Sequence, residues 1–358
     1  MIVNSHPSFG SNLVDSLSQL LQDLVNGKPI DKVAPSLTTL ALSDQRRAQT
    51  FGVNAETVNS IIDFRIQLFK AIYSDFANLC QQKLKLETAL NETLWDLWIP
   101  LAIQIADWRK QQMQPLIQGF LGGQGTGKTT LTAVLTLILS HLGYQTVSLS
   151  LDDLYLTYAD RQILQSQDPR LARRGPPGTH DLELGLQVLA QLKQNRSTVN
   201  IPRFDKSLWR GAGDRTQSEA VSNAEIILFE GWFVGAHPID PVLFETAPAP
   251  ILTAADRAFA QDMNARLQDY LPLWQQIDRL IVLYVPDYRL SKQWRKQAEH
   301  QMIAQGKAGM SDGEIDEFVE YFWRSLHPEL FITPLVQACD LVIEINSDHS
   351  PGSVYRRT

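Results

Sequence analysis

Cysteine is nearly absent from this chain of 358 residues, which has only Cys80 and Cys339. Two thiols so far apart in sequence cannot form a disulfide framework, and no spacing typical of zinc ligands accompanies either of them. The sequence therefore excludes small disulfide-stapled and zinc-ribbon proteins. It favours a protein of a reducing compartment, and we expect it to be cytoplasmic.

Long apolar runs and excess positive charge are also missing. No apolar stretch reaches the roughly 18 residues of a membrane span, and Met1 to Pro7 lack the features of a secretory or transit segment. Lys and Arg number 32 against 39 Asp and Glu, giving a formal net charge of −7. We therefore expect neither a membrane nor a nucleic acid as partner.

The composition is that of a globular protein, with 44% hydrophobic and 20% charged residues. The length exceeds one average domain, and the first part reads as amphipathic helices. Apolar residues at helical spacing mark two faces, Leu13, Leu17, Leu20, Leu21 and Leu24, and then Ile62, Ile66, Phe69, Tyr73, Phe76 and Cys80. The sequence thus predicts an N-terminal helical extension, residues 1–94, before a larger domain, residues 95–358.

The larger domain alternates short apolar runs with helical segments. The runs rich in β-forming residues lie at 116–121, 146–151, 198–201, 225–229, 280–285 and 341–345. Such alternation predicts an α/β fold, a doubly wound parallel sheet flanked by helices on both faces. Ligands of such folds lie at the carboxyl ends of the strands.

A glycine loop of the form G-x-x-x-x-G-K-[ST] follows the first of these runs and precedes a helical segment. Its glycines allow backbone N–H groups to point at phosphate oxygens, Lys128 is expected to reach the β- and γ-phosphates, and the Thr129 hydroxyl is expected to hold Mg²⁺. The predicted nucleotide-binding residues are Gly122, Gly123, Gln124, Gly125, Thr126, Gly127, Lys128, Thr129 and Thr130. This is the signature of the P-loop NTPase fold, and it predicts binding of ATP or GTP.

Carboxylates follow two of the later strands. Asp152 and Asp153 come directly after the second strand, where one can accept the proton of an attacking hydroxyl while the other caps the next helix. Glu230 comes directly after the predicted strand 225–229, the position of a Walker B acid, which holds Mg²⁺. The alternatives are a plain helix cap and a solvated loop residue.

Three basic segments could bind anions. They are a stiff proline loop from Arg173 to Asp181, a loop from Pro202 to Arg215, and a helical stretch after Asp287. Dense basic groups in an acidic chain favour capture of a carboxylate or phosphate, although a solvated basic face remains the alternative for each segment.

Taken in order, these motifs resemble the phosphoribulokinase, uridine kinase and pantothenate kinase superfamily of P-loop kinases, and within it the D-glycerate 3-kinases of plants and cyanobacteria. The resemblance covers about residues 95 to 350. It rests on the glycine loop and on six further segments, Leu151–Thr157, Arg174–Asp181, Pro202–Ser207, Phe229–Trp232, Trp294–Glu299 and Gly309–Asp312. Leu154 and Pro176 depart from the family, which usually has Phe and often has Asn at these positions.

The resemblance implies an ATP- and Mg²⁺-dependent transfer of phosphate to the 3-hydroxyl of D-glycerate, in photorespiratory salvage. It implies that Asp152 is the base, that Thr129 and Glu230 serve the metal, and that Lys128 and Arg295, the latter on a lid at about 288–312, act on the transferring group. The predicted substrate-binding residues are Asp153, Tyr155, His180, Asp181, Arg203, Lys206, Arg210 and Arg215. Any of the last four could grip the substrate carboxylate.

Two alternatives stay open at this point. A kinase of the same fold could act on uridine or pantothenate, although a nucleoside would need a stacking platform rather than a carboxylate clamp. A nucleotide-driven switch or chaperone could act on a protein partner through the helical extension, but it would not need Asp152 or the two acceptor-side loops. The sequence leaves the oligomeric state open, with a monomer possible.

Overall fold

The computed structural model describes residues 16–85, 90–194, 198–304, 306 and 309–356. Several of the sequence predictions reach outside these ranges: the absence of a secretory or transit segment at Met1 to Pro7, the start of the first amphipathic face at Leu13, part of the lid at 305, 307 and 308, and parts of both predicted domains. The chain forms two compact units, the first ending at Ile99 and the second beginning at Pro100. The division predicted at residues 94 and 95 stays a prediction.

The first unit is helical in its described residues. Its α-helices are α1 Leu17–Val25, α2 Ile30–Ser43, α3 Gln45–Thr50, α4 Val58–Asn78 and α5 Asn91–Thr93, and two π-helical segments follow α4 and α5, Leu79–Lys83 and Leu94–Trp98. The two predicted amphipathic faces are confirmed here. Of the described leucines of the first face, Leu20, Leu21 and Leu24 are buried and Leu17 is half-buried. The second face is buried in α4 except for the half-buried Tyr73, and its last residue, Cys80, is buried in the π-helical segment that follows.

The second unit is built on a six-stranded sheet. Its strands are β1 Leu116–Gly122, β2 Thr146–Ser150, β7 Ile226–Gly231, β8 Arg279–Tyr284, β9 Leu341–Ile345 and β10 Pro351–Tyr355. They lie in the order β10-β9-β8-β1-β7-β2, and neighbours are parallel except at the edge, where β10 runs antiparallel to β9. All residues of β1 and β7 are buried, as expected of central strands covered on both faces. The predicted α/β fold with a parallel sheet is confirmed.

One predicted strand is not part of the six-stranded sheet. The run at 198–201 was expected to belong with the parallel strands, but β3, Val199–Ile201, pairs antiparallel with β6, Glu219–Val221, in a separate two-stranded sheet. A second short ribbon pairs β4, Phe204–Asp205, with β5, Asp214–Arg215. The periodicity of a short apolar run cannot show which partner it pairs with, so this error is one of topology and not of strand identity.

Helices pack on the sheet between the strands. The α-helices of this part are α6 Ile99–Lys110, α7 Lys128–His141, α8 Tyr158–Gln167, α9 Leu182–Lys193, α10 Ala254–Arg266, α11 Leu271–Trp274, α12 Leu290–Ala304, α13 Asp312–Ser325 and α14 Pro328–Phe331. None of the helices in the described part of the chain combines the length and the apolar character that crossing a bilayer requires.

The start of β1 is held by one carboxylate. Asp278, just before β8, accepts the Ile117 N–H at 2.8 Å and the Lys193 ammonium of α9 at 3.1 Å, while its own N–H donates to the Ile117 carbonyl at 2.9 Å. Ile117 is fully buried, so its N–H would find no water if the carboxylate were removed. One side chain thus joins two strands and a helix.

We expect Asp278→Ala to lower the free energy of unfolding by about 2 kcal/mol, because it leaves a buried N–H donor without an acceptor. Urea denaturation followed by circular dichroism measures the change. Glu245→Ala, at an exposed carboxylate, is the matched control and should change stability by less than about 0.5 kcal/mol. Equal midpoints for the two variants would contradict the role of Asp278.

Candidate active site

The glycine loop connects β1 to α7 and has the conformation that its sequence predicts. Gly125 and Gly127 both have φ of +81°, which residues with a side chain rarely adopt. A Cβ atom at Gly125 would also lie 2.9 Å from the Trp294 ring. Lys128, the first residue of α7, folds back over the loop and donates to the carbonyls of Gly122 and Gly123 at 2.7 and 3.0 Å. The loop therefore places backbone N–H groups and an ammonium at the start of a helix, where anions bind.

Strand register brings the two carboxylate positions to this loop. Glu230 of β7 pairs with Phe120 of β1 on one side and with Ser150 of β2 on the other. Glu230 is buried, and burial raises the pKa of its carboxyl, while the Lys128 ammonium and a hydrogen bond with the Ser150 side chain act in the opposite direction. The acid, the loop lysine and the end of β2 thus meet at one edge of the sheet.

Asp152 and Asp153 make different contacts. They lie in the 3₁₀ turn Leu151–Leu154 directly after β2, which Ser150 caps. Asp153 accepts the Ser150 N–H at 3.0 Å, the Phe204 N–H at 3.3 Å and the Arg203 guanidinium at 3.0 Å. It therefore caps the turn and anchors the β4–β5 ribbon, and its acceptor positions are occupied by protein.

Asp152 faces a cation instead. Its Oδ2 lies 2.5 Å from Lys206 Nζ, at the start of the loop that β4 and β5 support. Burial opposes ionisation of Asp152, but the Lys206 ammonium and a hydrogen bond with the Tyr155 side chain outweigh it and lower the pKa of the carboxyl. Asp152 is consequently a carboxylate, able to accept a proton, at neutral pH.

Of the four basic residues predicted to bind a substrate carboxylate, two are bound to carboxylates of the protein and a third is exposed on a turn. Arg203 binds Asp153, Glu219 and the Ser148 carbonyl. Arg215 binds Asp181 at 2.9 Å, and Asp181 also caps α9. Arg210 is exposed on a 3₁₀ turn. Of the four, Lys206 is the one that lines the cavity described next.

A cavity of about 610 Å³ lies at the carboxyl ends of these strands. Gln124, Gly125, Lys128 and Thr129 of the glycine loop line it, together with Asp152, Tyr155 and Glu230. Its described lining holds six cationic side chains, Lys128, Arg161, Arg173, Arg174, Lys206 and Arg295, against the two carboxylates Asp152 and Glu230. In a chain of net charge −7, this is a local concentration of positive charge that fits an anionic ligand.

Arg295 of α12, the predicted lid arginine, reaches this cavity. Its guanidinium binds the buried Glu299 carboxylate, which also accepts the Met310 N–H at 3.1 Å, and lies 5.3 Å from the Phe318 ring centre. Arg173 lies over the same ring at 4.9 Å. Two arginines from separate segments therefore share one aromatic support at the cavity wall.

Sequence reasoning missed Arg161 and assigned no role to Arg173 or Arg174 individually. Arg161 in α8 donates to the Ala212 carbonyl at 2.7 Å, and Arg174 donates to the Gly211 and Ala212 carbonyls at 2.7 and 2.8 Å. No local motif surrounds Arg161, so only its long-range contact with the loop after β4 could have shown its place. His180 is buried behind Tyr155, with their ring centres 4.7 Å apart.

The oxygens at this edge suit Mg²⁺. Thr129 supplies a hydroxyl and Glu230 a buried carboxylate beside the phosphate loop, which are hard oxygen ligands. Neither here nor elsewhere in the described ranges is a cluster of three or more His, Cys, Asp or Glu arranged to hold a metal ion. A site with two protein oxygens agrees with the habit of Mg²⁺, which keeps waters and binds substrate phosphates.

Comparison with known proteins gives related kinases. The chain matches no protein-family model. It is 35% identical over 222 residues to the uncharacterized kinase mug58 of Schizosaccharomyces pombe, covering 60% of this chain and 80% of that one. It is 32% identical over 296 residues to the chloroplastic D-glycerate 3-kinase of Arabidopsis thaliana, covering 76% of this chain and 63% of that one.

Comparison with solved structures also gives a kinase. A solved structure of D-glycerate 3-kinase from Cryptococcus neoformans superposes with a TM-score of 0.65 at 29% identity, covering 72% of this chain and 97% of that one. Kinases thus match both the sequence and the fold, and the predicted resemblance is confirmed. The chain is a phosphotransferase and belongs to the family of P-loop small-molecule kinases that includes the D-glycerate 3-kinases.

Proposed function

We propose that the protein transfers the γ-phosphate of ATP to the 3-hydroxyl of D-glycerate, giving 3-phospho-D-glycerate and ADP. The observation that carries the proposal is the ion pair between Asp152 and Lys206 on the wall of the cavity that the glycine loop lines. The pair places a proton acceptor for a hydroxyl next to a cation for a carboxylate, and a hydroxy acid has both of these groups. The relatives named D-glycerate 3-kinase support the same substrate.

Each residue has a step in this reaction. Asp152, kept ionised by Lys206, orients the 3-hydroxyl and accepts its proton as the oxygen attacks the γ-phosphorus. Lys128 turns from the loop carbonyls to the β- and γ-phosphates, and Arg295 offsets charge on the transferring group. Thr129 and Glu230 would hold Mg²⁺, which neutralises phosphate charge when bound.

Lys206 is our choice for the substrate carboxylate. Its side chain is 60% exposed although it pairs with Asp152, so the ammonium can turn to a second anion without leaving a buried site. Arg203 and Arg215 are held by Asp153 and Asp181. Asp153, Asp181, Arg203 and Arg215 then support the acceptor site, with Tyr155 and His180 nearer to the acceptor and Arg210 outside.

Cytoplasmic location, a photorespiratory role and Mg²⁺ use stay predictions.

We expect Asp152→Asn to lower kcat for D-glycerate by about 100-fold or more, because the amide cannot accept the proton. ADP release is measured with Mg-ATP and a panel of D-glycerate, L-glycerate, uridine, pantothenate and ribulose 5-phosphate. Asp31→Asn, at an exposed residue of α2, is the control and should keep full activity. Hydrolysis without an acceptor, unchanged by Asp152→Asn, would refute the kinase mechanism and favour a nucleotide-driven switch.

We expect Lys206→Gln to raise KM for D-glycerate about 10-fold or more, because a charge-assisted contact is lost, with KM for ATP little changed. It should also move the acid limb of the kcat/KM profile to higher pH. The reaction needs Asp152 in its ionised form, so activity is lost as the pH falls through the pKa of Asp152. The Lys206 ammonium lowers this pKa and burial raises it, so the pKa rises when the ammonium is removed.

The profile is recorded from pH 4 to 9 for wild type, Lys206→Gln and Lys32→Gln, a control at an exposed lysine in α2. An unchanged KM together with an unmoved acid limb would remove Lys206 from the acceptor site.

A further inference from the structure

The turn between β9 and β10 contacts the glycine loop. In this turn, His349 Nδ1 lies 3.0 Å from the carbonyl oxygen of Gly125, which is 224 positions away along the chain. A carbonyl oxygen can only accept a hydrogen bond, so His349 Nδ1 carries a proton and is the donor. A side chain from the edge of the sheet therefore holds one peptide group of the glycine loop.

Trp294 of α12 supports this contact from the other side. Its indole N–H donates to the Ser347 carbonyl in the same turn at 2.9 Å, and its ring centre lies 4.4 Å from that of His349. The Trp294 ring also covers Gly125, because a Cβ atom there would lie 2.9 Å from it. Trp294 is buried, whereas His349 is exposed. The glycine loop, the turn after β9 and the predicted lid helix are thereby joined at one point.

The His349 hydrogen bond sets the direction of the peptide group between Gly125 and Thr126. In a trans peptide, the C=O of one residue and the N–H of the next point in opposite directions. The Gly125 carbonyl points at His349, so the Thr126 N–H points into the loop, where its nitrogen lies 3.5 Å from the Gly123 carbonyl oxygen. Glycine has little steric restriction of its own to hold a peptide in one orientation. The orientation therefore depends on the contact with His349.

The Thr126 N–H is available to a ligand. A separation of 3.5 Å is long for an N–H···O hydrogen bond, and the Gly123 carbonyl also accepts the Thr126 hydroxyl at 2.9 Å and the Lys128 ammonium at 3.0 Å. A phosphate oxygen is a stronger acceptor than a carbonyl that three donors share. Backbone N–H groups aimed into a glycine loop are the groups that bind phosphate.

We propose that His349 is a positioning residue for the nucleotide phosphates, which holds the Gly125 carbonyl outward and keeps the Thr126 N–H aimed at the phosphate position. Trp294 holds the turn that carries His349. If the peptide turned over, a carbonyl oxygen would face the phosphates and repel them. The inference rests on the nucleotide-binding part of the proposed function and not on the identity of the acceptor.

Nucleotide binding without an acceptor tests this role. His349→Asn and His349→Gly both tolerate the φ of +66° at this position, and both lack the ring. The Asn side chain has an N–H donor close to the position of Nδ1, whereas Gly has none. We expect the Kd for Mg-ATP, measured by isothermal titration calorimetry, to rise about 5-fold in His349→Gly and less than about 2-fold in His349→Asn. Equal Kd values for the two variants would overturn the proposal.

Magnesium tripolyphosphate separates positioning of the glycine loop from a contact with the base or the ribose. This ligand has the three linked phosphates and no nucleoside, so we expect His349→Gly to weaken its binding by the same factor of about 5. Weaker binding of Mg-ATP together with unchanged binding of tripolyphosphate would overturn the proposal, because His349 would then act on the nucleoside.

The part played by Trp294 has a matched control. Trp294→Phe keeps a ring against Gly125 but loses the N–H that holds Ser347, and we expect the Kd for both ligands to rise about 3-fold or more. Trp274→Phe loses a bond of the same kind, from its indole N–H to the Ala236 carbonyl at 2.9 Å, and does not line the cavity. It should leave both Kd values unchanged, and equal Kd values for the two tryptophan variants would overturn the role of Trp294.

The acceptor assay distinguishes this inference from the proposed function. If the wild type binds Mg-ATP but phosphorylates no member of the acceptor panel, the proposed function fails, whereas the Kd values of the His349 variants still decide the role of His349.

Discussion

The register of three parallel strands is the constraint on which the site depends. Phe120, Glu230 and Ser150 lie at one level across β1, β7 and β2. Because the strands end together, the glycine loop after β1, the buried acid of β7 and the aspartate turn after β2 all open on the same edge. A slip of one residue in β7 would turn Glu230 to the opposite face of the sheet and separate it from Lys128. The chemistry thus depends on backbone pairing before it depends on any side chain.

Two adjacent aspartates show how partners decide the role of a residue. Asp153 is surrounded by two N–H groups and the Arg203 guanidinium, so it connects the turn after β2 with the β4–β5 ribbon. That ribbon in turn places Lys206 against Asp152. The structural aspartate therefore positions the cation that keeps its neighbour ionised. Exchanging their roles would need a different ribbon, although the two side chains are chemically the same.

The sequence was informative wherever the signal was local. The glycine loop, the amphipathic faces of α1 and α4 and the central strands follow from spacing along the chain, and the structure has them. The pairing of β3 with β6 was missed because a three-residue apolar run carries no record of its partner. Arg161 and His349 were missed for a related reason. Arg161 acts on Ala212, 51 positions away, and His349 on Gly125, 224 positions away. Their roles arise only after folding.

The positive cavity also depends on how its cations are held. Two of the cavity cations are paired with carboxylates, Arg295 with Glu299 and Lys206 with Asp152, and such pairs contribute less net charge. Arg161 and Arg174 are instead held by the neutral carbonyls of the loop after β4. Arg173 lies over the Phe318 ring, and Arg174 lies 5.7 Å from the Phe204 ring centre. Carbonyl and ring contacts fix the guanidinium groups in place and leave their charge uncancelled. An acidic protein can in this way present a cationic cavity. Because the guanidinium groups are already held in place, binding a polyanion requires little further ordering of these side chains.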